Sequence, residues 1–448
     1  MGSSVNLSAI GSRLDGDDAT FQRESVADLL GRTSLGFPGA QPVSFAKQHL
    51  RELRERDYFM CEKTDGIRCL LFLTQIPGEY GPQEAQFLID RKNDYYFIRP
   101  PGGDGITLTI PTPPPKGAKG DFNVGSFHLG TLLDGEIVKQ RLKDGTERIT
   151  YLMFDILALD GENITTSTFD KRLAKLGLNV ARPFRKFAAA YPQDVGAFPL
   201  QLDLKEMQFP YVVAHMFEHI IPTLPHGNDG LIFTCVDTQY VSGTDPHIVK
   251  WKPPQENTID FKLVLGDFPI IEDEEGSYPD WDAQPEMELH VNHGGGAEGG
   301  YQYFAAMAFT AAEWSACKSL HEILDGRIIE CFRDPDTGAW RPKLEHDGAP
   351  RFRDDKTDAN HISTVNSVLQ SIKDAITEQD LLHEATEIKV CYKKRLAEKA
   401  KKQAARDAGM KQQAAQRAQQ AKVAPQQQQQ KAQVAENEEE DDGPKYHD

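Results

Sequence analysis

Between residues 57 and 155, short apolar runs alternate with turn-forming residues, and this pattern restricts the fold more than any other feature of the chain. The runs are YFMCEK, IRCLLFLT, QFLIDR, YYFI, TLLDGEIV and ITYLMFDILAL. Apolar runs of this length, bounded by Gly, Pro, Asn and Asp, are typical of β-strands. They predict an antiparallel or mixed sheet.

Helical spacing of apolar residues flanks this region, in ATFQRESVADLL before it and in FDKRLAKLGLN and PYVVAHMFEHII after it. Beyond WKPPQENT, five short apolar runs at even spacing predict a small β-barrel. We therefore expect an α+β chain with a first domain of antiparallel and mixed sheets with helices (residues 1–256). A barrel domain (257–390) and a tail (391–448) follow.

Charge is unevenly distributed along the 448 residues, whose formal net charge is −18. Residues 272–288 contain eight acids and no Lys or Arg, and they form an acidic insert in the barrel region. Residues 389–431 contain twelve Lys or Arg and two acids, whereas residues 436–448 are acidic. An acidic chain does not attract polyanions as a whole, so any nucleic acid is expected at a local site.

The tail is rich in Ala, Gln and Lys over residues 401–435 and includes QQQQQ. This composition predicts a protruding helix that frays into disorder.

Six cysteines are scattered without CxxC spacing, which indicates reduced thiols and a cytosolic or nuclear protein. No apolar run reaches the ~18 residues that a membrane span needs, so no membrane is expected among the partners. GGGAEGG (294–300) contains GxGxxG, but it neither follows a strand nor opens a helix, and we interpret it as a mobile loop.

The segment EKTDGIR places Lys63, Asp65 and Arg68 within an apolar run. A lysine attacks only as the free amine, and burial or neighbouring cations lower the pKa of such an amine. Lys250 and Lys252 alternate about Trp251, so on a strand both amines face one side. An amine among phosphate-binding cations suits attack on a nucleotide α-phosphate. Taken alone, KTDG also fits a hairpin turn with a solvated lysine.

Six motifs then occur in order: EKTDGIR, TLLDGEIV, YLMFDILA, DGLIFT, IVKWKP and RFRDDK. Together they resemble the motif set of the covalent nucleotidyltransferases, which comprise mRNA capping guanylyltransferases and ATP-dependent DNA and RNA ligases. KTDG-I-R, FDILA, DGLIFT and KWKP are similar to the guanylyltransferase variants, and FPGAQPVSF and FLIDRKNDYYFI to those of fungal capping enzymes. The resemblance covers about residues 37–390. It implies a nucleotidyltransferase domain followed by an OB-fold domain.

The resemblance also implies a role for each matched residue, with Lys63 as the nucleophile that forms a phosphoramidate with GMP. The implied nucleotide contacts are Arg68 and Arg91 (ribose and phosphate), Glu136 (ribose), Phe154 (guanine stacking), Lys205 (guanine O6), Asp229 (α-phosphate and metal side), Lys250 and Lys252 (phosphate), and Arg353, Asp355 and Lys356 (β,γ-phosphates). Other interpretations remain open: core packing for Phe154, an exposed helix cap for Lys205, and either a structural or a metal-side carboxylate for Asp155. Asp65 either orients the lysine or shapes the turn.

The implied reaction has two steps. GTP, with Mg²⁺ or Mn²⁺, yields enzyme–GMP and pyrophosphate, and the 5′-diphosphate end of RNA then accepts GMP to form GpppN. A hinge near residues 253–258 lets the barrel approach and withdraw. The metal ligands are not identified by the sequence.

The resemblance implies three partners and a compartment. The partners are 5′-diphosphate RNA, a separate RNA 5′-triphosphatase (no such domain precedes the first motif) and the phosphorylated carboxy-terminal domain of RNA polymerase II. The compartment is the nucleus. An ATP-dependent polynucleotide ligase and a catalytically inactive scaffold of the capping complex remain the alternatives.

Overall fold

A computed structural model of the protein describes residues 5–78, 81–98, 108–273, 276–295, 300–345 and 348–439, with side chains described up to residue 416, Gln255 excepted. Its helices are α1 (Gly16–Leu29), α2 (Lys47–Glu55), α3 (Phe169–Leu176), α4 (Arg182–Ala190), α5 (Pro192–Gly196), α6 (Val213–His215), α7 (Ala311–Ser319), α8 (Ile362–Lys373) and α9 (Glu378–Glu439). Its strands are β1 (Ser12–Arg13), β2 (Ala40–Ser44), β3 (Tyr58–Thr64), β4 (Ile67–Gly78), β5 (Gly81–Asp90), β6 (Tyr95–Phe97), β7 (Pro111–Thr112), β8 (Asn123–Phe127), β9 (Thr131–Arg141), β10 (Glu147–Leu159), β11 (Glu162–Asn163), β12 (Gln201–Leu204), β13 (Asn228–Cys235), β14 (Gly243–Trp251), β15 (Thr258–Leu265), β16 (Ile270–Asp273), β17 (Gly276–Pro279), β18 (Met287–Asn292), β19 (Tyr301–Ala306), β20 (Ile328–Arg333) and β21 (Trp340–Pro342).

Two mixed sheets dominate the first 250 residues. One has the order β1-β6-β5-β4-β9-β10-β11, with β12 added in parallel beside β10. The other has the order β2-β14-β13-β3, in which β2 and β14 are parallel. The strands predicted between residues 57 and 155 are confirmed, as is the α+β class.

The Asp65–Gly66 turn does not close a hairpin. It passes the chain from β3, in the four-stranded sheet, to β4, in the other sheet. A Cβ on Gly66 would lie 2.5 Å from the carbonyl oxygen of Ile137, so only glycine fits between the sheets there. The backbone N–H of Asp65 donates to Gly227 O (3.0 Å), and its side chain is exposed. The turn therefore places the end of β3 at the junction of the two sheets.

Separate apolar cores support the two sheets. The larger sheet packs residues such as Leu133 and Tyr151 against α4, and the Tyr151 hydroxyl donates to two buried carbonyls of the sheet. The four-stranded sheet buries Met60, Phe233 and Trp251. Burial of such side chains stabilises a fold by roughly 1.5–3 kcal/mol each, so both sheets are firm supports for a site between them.

The predicted barrel is an antiparallel five-stranded sheet with the order β19-β18-β15-β20-β21. A parallel bridge between Met307 and Trp340 brings its two ends together. Trp340 is buried in the barrel core, with its ring 5.1 Å from that of Phe261. The acidic insert forms the exposed hairpin β16–β17, whose residues 274–275 lie outside the described residues. Residues 296–299 of the predicted glycine-rich loop also lie outside them.

After the barrel, the chain returns to the four-stranded sheet. Ile376, Leu381 and Ile388 belong to the core of that sheet. The indole N–H of Trp251 donates to Ile376 O over 2.7 Å in a buried hydrogen bond. The start of α9 is thus fixed on the sheet, whereas α8 packs on the barrel strands β15 and β18.

The tail differs from its prediction. The chain divides into two compact units, residues 1–388 and 389–448, and helical backbone continues to Glu439 instead of fraying within residues 401–435. The physical reason is the abundance of Ala, Gln and Lys, which all favour a helix. Residues 440–448 lie outside the described residues. None of the described helices is long and apolar enough to cross a bilayer.

Candidate active site

A cavity of about 300 Å³ lies between the two large sheets. Nine of the residues that the sequence singled out line it: Lys63, Arg68, Arg91, Glu136, Phe154, Asp155, Lys205, Lys250 and Lys252. They come from β3, β4, β9, β10 and β14 and from the loops after β5, β12 and β14, and so from distant parts of the chain.

Lys63 and Lys252 share one carboxylate. The ammonium group of Lys63 donates to both oxygens of Asp229, at 2.6 and 2.8 Å, and Lys252 Nζ lies 2.8 Å from Asp229 Oδ2. Burial alone would raise the pKa of Asp229, but the two ammonium groups hold it below its usual range. A carboxylate that stays ionised at this point keeps the proposed nucleophile fixed at the edge of the cavity.

A β-bulge aims Asp229 at Lys63. Asn228 pairs with Thr64 and Leu231 with Glu62, so Asp229 and Gly230 form an irregularity between β13 and β3. Asn228 Nδ2 closes this bulge by donating to Lys63 O (3.1 Å) and Gly230 O (2.7 Å).

Gly230 makes the bulge possible. Its φ is +145°, and a Cβ there would lie 2.0 Å from Trp251 O. We expect Gly230→Ala to lower the free energy of unfolding by about 3 kcal/mol, from backbone strain and a clash that the sheet cannot relieve. Urea unfolding measures this loss. Gly196→Ala is the matched control because no atom lies within 4 Å of its added Cβ; equal destabilisation by both changes would contradict the strain.

Lys250 reaches the cavity through the alternation of β14. Lys250 and Ile248 line the cavity, whereas Val249 and Trp251 face the apolar core, as the sequence alternation predicts. Burial, together with Lys252, Lys63 and Arg91, lowers the pKa of Lys250. Among the described contacts Lys250 has no carboxylate partner, so its charge is available to an anionic ligand.

Arg68 is held by a pair of residues that the sequence reasoning missed. Its guanidinium donates to both oxygens of Asp134, at 3.0 and 2.7 Å, and the Tyr240 hydroxyl donates to Asp134 Oδ2 at 2.5 Å. Asp134 is fully buried and lies two residues before Glu136 on β9, so the strand period was a signal that could have found it. Nothing local in the sequence points to Tyr240.

Phe154 lies on the cavity wall rather than in the core. It occupies a register shift between Met153 and Asp155, and its ring is half-buried, with Arg68 Cζ 5.6 Å and Lys205 Nζ 5.8 Å from its centroid. Asp155 also lines the cavity, but its carboxylate is held in a two-point salt bridge with Arg172, at 2.8 Å for each contact. This bridge supports the structural interpretation of Asp155, whereas the place of Phe154 in the cavity lining argues against its core interpretation.

Lys205 is not the exposed helix cap that the sequence left open. It follows β12, is 5% exposed, and donates from Nζ to Glu62 O at 2.9 Å. Burial opposes its charge, but Cys61, Glu62 and Glu136 hold its pKa above the usual value. Burial also raises the pKa of Glu136, against the attraction of the cavity cations. The cavity thus holds a charged donor and a weakly acidic carboxyl group.

Behind Lys205 lies His226, which the sequence reasoning did not single out. Its imidazole is buried, with Nε2 3.9 Å from a Glu62 oxygen and Nδ1 3.4 Å from Gln140 Nε2. Burial, and secondarily Lys205, lowers the pKa of His226 to about 4. The ring is therefore neutral at pH 7.

This lowered pKa predicts an acid-sensitive contribution to stability. At a pH between about 4 and 6.5, the histidine of the unfolded chain, with a pKa of about 6.5, binds a proton, whereas His226 in the folded protein, with its pKa of about 4, stays neutral. Stability is therefore lost as pH falls from about 6.5 towards the folded pKa of about 4. We expect His226→Gln to flatten the fall of Tm over this range, measured by thermal unfolding. His219→Gln, at an exposed ring, is the control; parallel profiles for His226→Gln and the unaltered protein would contradict the prediction.

Three predicted residues are not brought to the cavity. Arg353 lies with its Nη1 3.2 Å from Asp260 Oδ1 and also pairs with Asp355 at 2.9 Å. Lys356 pairs with Asp260. These charges lie on the barrel, where its own carboxylates Asp260 and Glu330 compensate them.

The carboxylates at the cavity fit a metal that arrives with phosphates. Mg²⁺ is usually held by one or two carboxylates together with substrate phosphates. Glu136 and Asp229 are close enough to influence each other. Within the described residues no group of three or more His, Cys, Asp or Glu could hold a metal alone.

Two family models together match most of the chain. The model described as mRNA capping enzyme, catalytic domain, matches residues 6–254, and that described as mRNA capping enzyme, C-terminal domain, matches residues 256–382.

Curated relatives match over a similar extent. The mRNA-capping enzyme subunit alpha of Neurospora crassa is 41% identical over 403 residues, which cover 87% of this chain and 94% of that protein. The subunit alpha of Schizosaccharomyces pombe is 41% identical over 376 residues, covering 84% and 86%. That of Saccharomyces cerevisiae is 38% identical over 393 residues, covering 81% of each.

Proposed function

Since this chain belongs to the mRNA capping enzyme family, we propose that it acts as the mRNA guanylyltransferase by carrying GMP on Lys63 between GTP and the end of an RNA. The observation that carries the mechanism is the position of Lys63. Its amine lies at the edge of the cavity, is held by Asp229, and shares the cavity lining with five further cations. That is the arrangement that attack on a nucleotide phosphate needs.

In the first step Lys63 loses a proton to solvent, and its free amine attacks the α-phosphorus of GTP. A P–N bond forms, the bond between the α-phosphorus and the bridging oxygen breaks, pyrophosphate leaves with the bonding electrons, and the nitrogen releases a second proton to solvent. Asp229 orients Nζ, and Lys250 and Lys252 offset the negative charge on the transferring group. In the second step a terminal oxygen of the 5′-diphosphate RNA attacks the same phosphorus, the P–N bond breaks, and GpppN forms.

Guanine is selected by a fixed donor. Lys205, charged and buried beside Phe154, donates to guanine O6, whereas adenine presents an amino group at that position. A site built around a buried donor discriminates strongly against a ligand that leaves the donor unpaired. Phe154 supplies the stacking surface, and Glu136 accepts from the ribose hydroxyls.

A divalent ion, Mg²⁺ or Mn²⁺, would be held by Asp229 or Glu136 with the phosphates, where it would neutralise charge on the triphosphate. Both carboxylates already lie among the cavity cations.

The barrel is an OB-fold domain that completes the site on closure. Support comes from its strand order and from the parallel bridge between Met307 and Trp340. In the closed state Arg353 and Lys356 exchange Asp260 for the β,γ-phosphates and orient pyrophosphate for departure, and Asp355 positions Arg353. The gap between the two matched family models supports the boundary between a first domain of residues 1–256 and the barrel that starts at residue 257. The last part of the segment 257–390, residues 376–388, packs in the core of the first domain, and residues 391–448 form the tail.

The proposed hinge consists of two separate segments of the chain. The chain leaves the first domain through residues 253–258 and returns to it through residues 374–377, next to the Trp251–Ile376 hydrogen bond. Closure of the barrel therefore turns about both segments, and not about residues 253–258 alone.

The proposed partners follow from the family. Relatives are named subunit alpha, which supports a complex with a second capping subunit, a separate RNA 5′-triphosphatase. Docking on the phosphorylated carboxy-terminal domain of RNA polymerase II brings the enzyme to nascent RNA in the nucleus. Five of the cysteines are buried thiols, which suits a reducing compartment.

Labelling with α-labelled nucleotides tests the function. Purified protein with Mg²⁺ is expected to take up acid-labile label from GTP and not from ATP, and added pyrophosphate is expected to remove it. Label from ATP alone would indicate a ligase. Label from neither nucleotide would indicate an inactive scaffold.

A further inference from the structure

A second cavity, of about 260 Å³, adjoins the nucleotide cavity. We call it the hydroxyl groove, because its lining includes Ser44, Asn257, Thr258, Thr364, Ser367 and Ser371. Lys250 and Lys252 line both cavities, so the two cavities meet at these residues.

The groove has two walls, one on the barrel and one on the first domain. One is the face of α8 with positions 364, 367, 368 and 371, which helical spacing places in one row. The other is the end of β2 and β14 in the four-stranded sheet. The hinge segments also contribute to the lining, so the width of the groove changes as the barrel opens and closes.

The chemistry of the lining favours a phosphodiester chain. Hydroxyl, amide and lysine groups are the usual donors to nucleic-acid phosphates and sugars. The one acidic residue in the lining, Glu256, has its carboxylate paired with Lys343 and therefore repels an anion less. The hydroxyls also suit the 2′-hydroxyl of RNA, which donates and accepts.

The position of the groove beside the Lys63 cavity indicates that its ligand is the acceptor RNA. An acceptor must bring its terminal phosphate to Lys63 after pyrophosphate has left, and Lys250 and Lys252 are the residues at which the groove meets the Lys63 cavity. At about 260 Å³ the groove is slightly smaller than the roughly 300–1,000 Å³ of typical ligand pockets, which favours a single nucleotide over a longer segment.

We propose that the hydroxyl groove binds the first nucleotide of the acceptor RNA, with its 5′-diphosphate between Lys250 and Lys252. This proposal rests on the proposed function. With two lysines as the only cations of the lining, acceptor affinity depends weakly on salt. The logarithm of the binding constant falls with the logarithm of salt concentration with a slope of about −1.4, from about −0.7 per neutralised phosphate on a single strand.

The test introduces negative charge on the α8 wall. Enzyme–GMP is formed with labelled GTP, freed of nucleotide, and then divided between 5′-diphosphate RNA and pyrophosphate as acceptors. For Ser367→Glu/Ser371→Glu, we expect the rate of transfer to RNA to fall about tenfold relative to the rate of transfer to pyrophosphate, through like-charge repulsion. Asn366→Glu, exposed on the same helix outside the groove, is the matched control and should keep the ratio of the unaltered protein.

A variant that adds positive charge to the same wall distinguishes weaker RNA binding from misfolding. Ser367→Lys is expected to lower the RNA concentration that gives half-maximal transfer. If the ratio of the transfer rates to RNA and to pyrophosphate is unchanged in the double variant, including by an equal fall in both rates, the groove assignment is overturned. Formation of enzyme–GMP in the same experiment would still support the proposed function. Absence of enzyme–GMP in the unaltered protein would overturn both.

Discussion

Lys63→Ala is expected to abolish covalent GMP while the protein stays folded. Removal of a covalent nucleophile costs on the order of 10⁶-fold in kcat where it has been measured for a catalytic triad. The fold should survive because Lys63 lies at the cavity edge and Asp229 keeps Lys252 as a partner at 2.8 Å. The measurement is label retained from α-labelled GTP after denaturing electrophoresis, with a thermal unfolding curve on the same preparation.

Lys63→Arg is the matched control for charge. It keeps a cation beside Asp229, but its guanidinium group stays protonated and offers no free amine for attack, so it too should form no enzyme–GMP. Lys250 is the rival nucleophile, because it lines the same cavity with a lowered pKa. Label that survives in Lys63→Ala and disappears in Lys250→Met would move the nucleophile to β14.

Asp229→Asn is expected to slow enzyme–GMP formation by on the order of 10²-fold or more. The amide keeps the shape of the side chain, but it loses the charge that holds Lys63 at 2.6 and 2.8 Å and Lys252 at 2.8 Å. A misplacement of about 1 Å in a reacting group already costs about 10²-fold. Single-turnover labelling at saturating GTP measures the chemical step apart from binding.

Asp203→Asn serves as the control for Asp229, since Asp203 is an exposed carboxylate on β12 outside the cavity. It should label at the rate of the unaltered protein. An Asp229→Asn variant as fast as Asp203→Asn would show that Asp229 only compensates charge and does not position the amine.

Most of the cations around the cavity form ion pairs with carboxylates of the protein. Asp229 pairs with Lys63 and Lys252, Asp134 with Arg68, and Glu62 with Lys205. On the barrel, Asp260 does the same for Arg353 and Lys356. Binding of a triphosphate therefore exchanges carboxylates for phosphates at several points, which avoids leaving buried cations unpaired in either state.

Periodicity made much of this site predictable. The apolar runs gave β3, β4, β9, β10 and β14, and the alternation of β14 placed Lys250 and Lys252 on the cavity side. Both results depend on neighbours within a few residues, and local spacing carries that information.

The remaining features depend on contacts between distant segments. The bulge at Gly230 needs the carbonyl of Trp251, and the fork of Arg68 needs Asp134 and Tyr240. The burial of Lys205 comes from Glu62, 143 residues away. No local pattern encodes such pairs, so sequence reasoning assigned Lys205 loosely and missed Tyr240.

The hairpin interpretation of KTDG failed for a related reason. Asp-Gly is a common hairpin turn, yet here it joins two different sheets. Glycine is required at position 66 for another reason, since a backbone carbonyl of β9 leaves no room for a side chain there. Asp65 has no described hydrogen bond to Lys63, and its backbone N–H instead fixes the crossing at Gly227.

Mass spectrometry of the protein after incubation with GTP and Mg²⁺, first intact and then as peptides, tests covalent transfer through Lys63 most directly. We expect a mass increase of one GMP per chain, located on Lys63, reversed by pyrophosphate and absent with ATP. A GMP adduct on any other residue, or an AMP adduct in place of it, would contradict this mechanism.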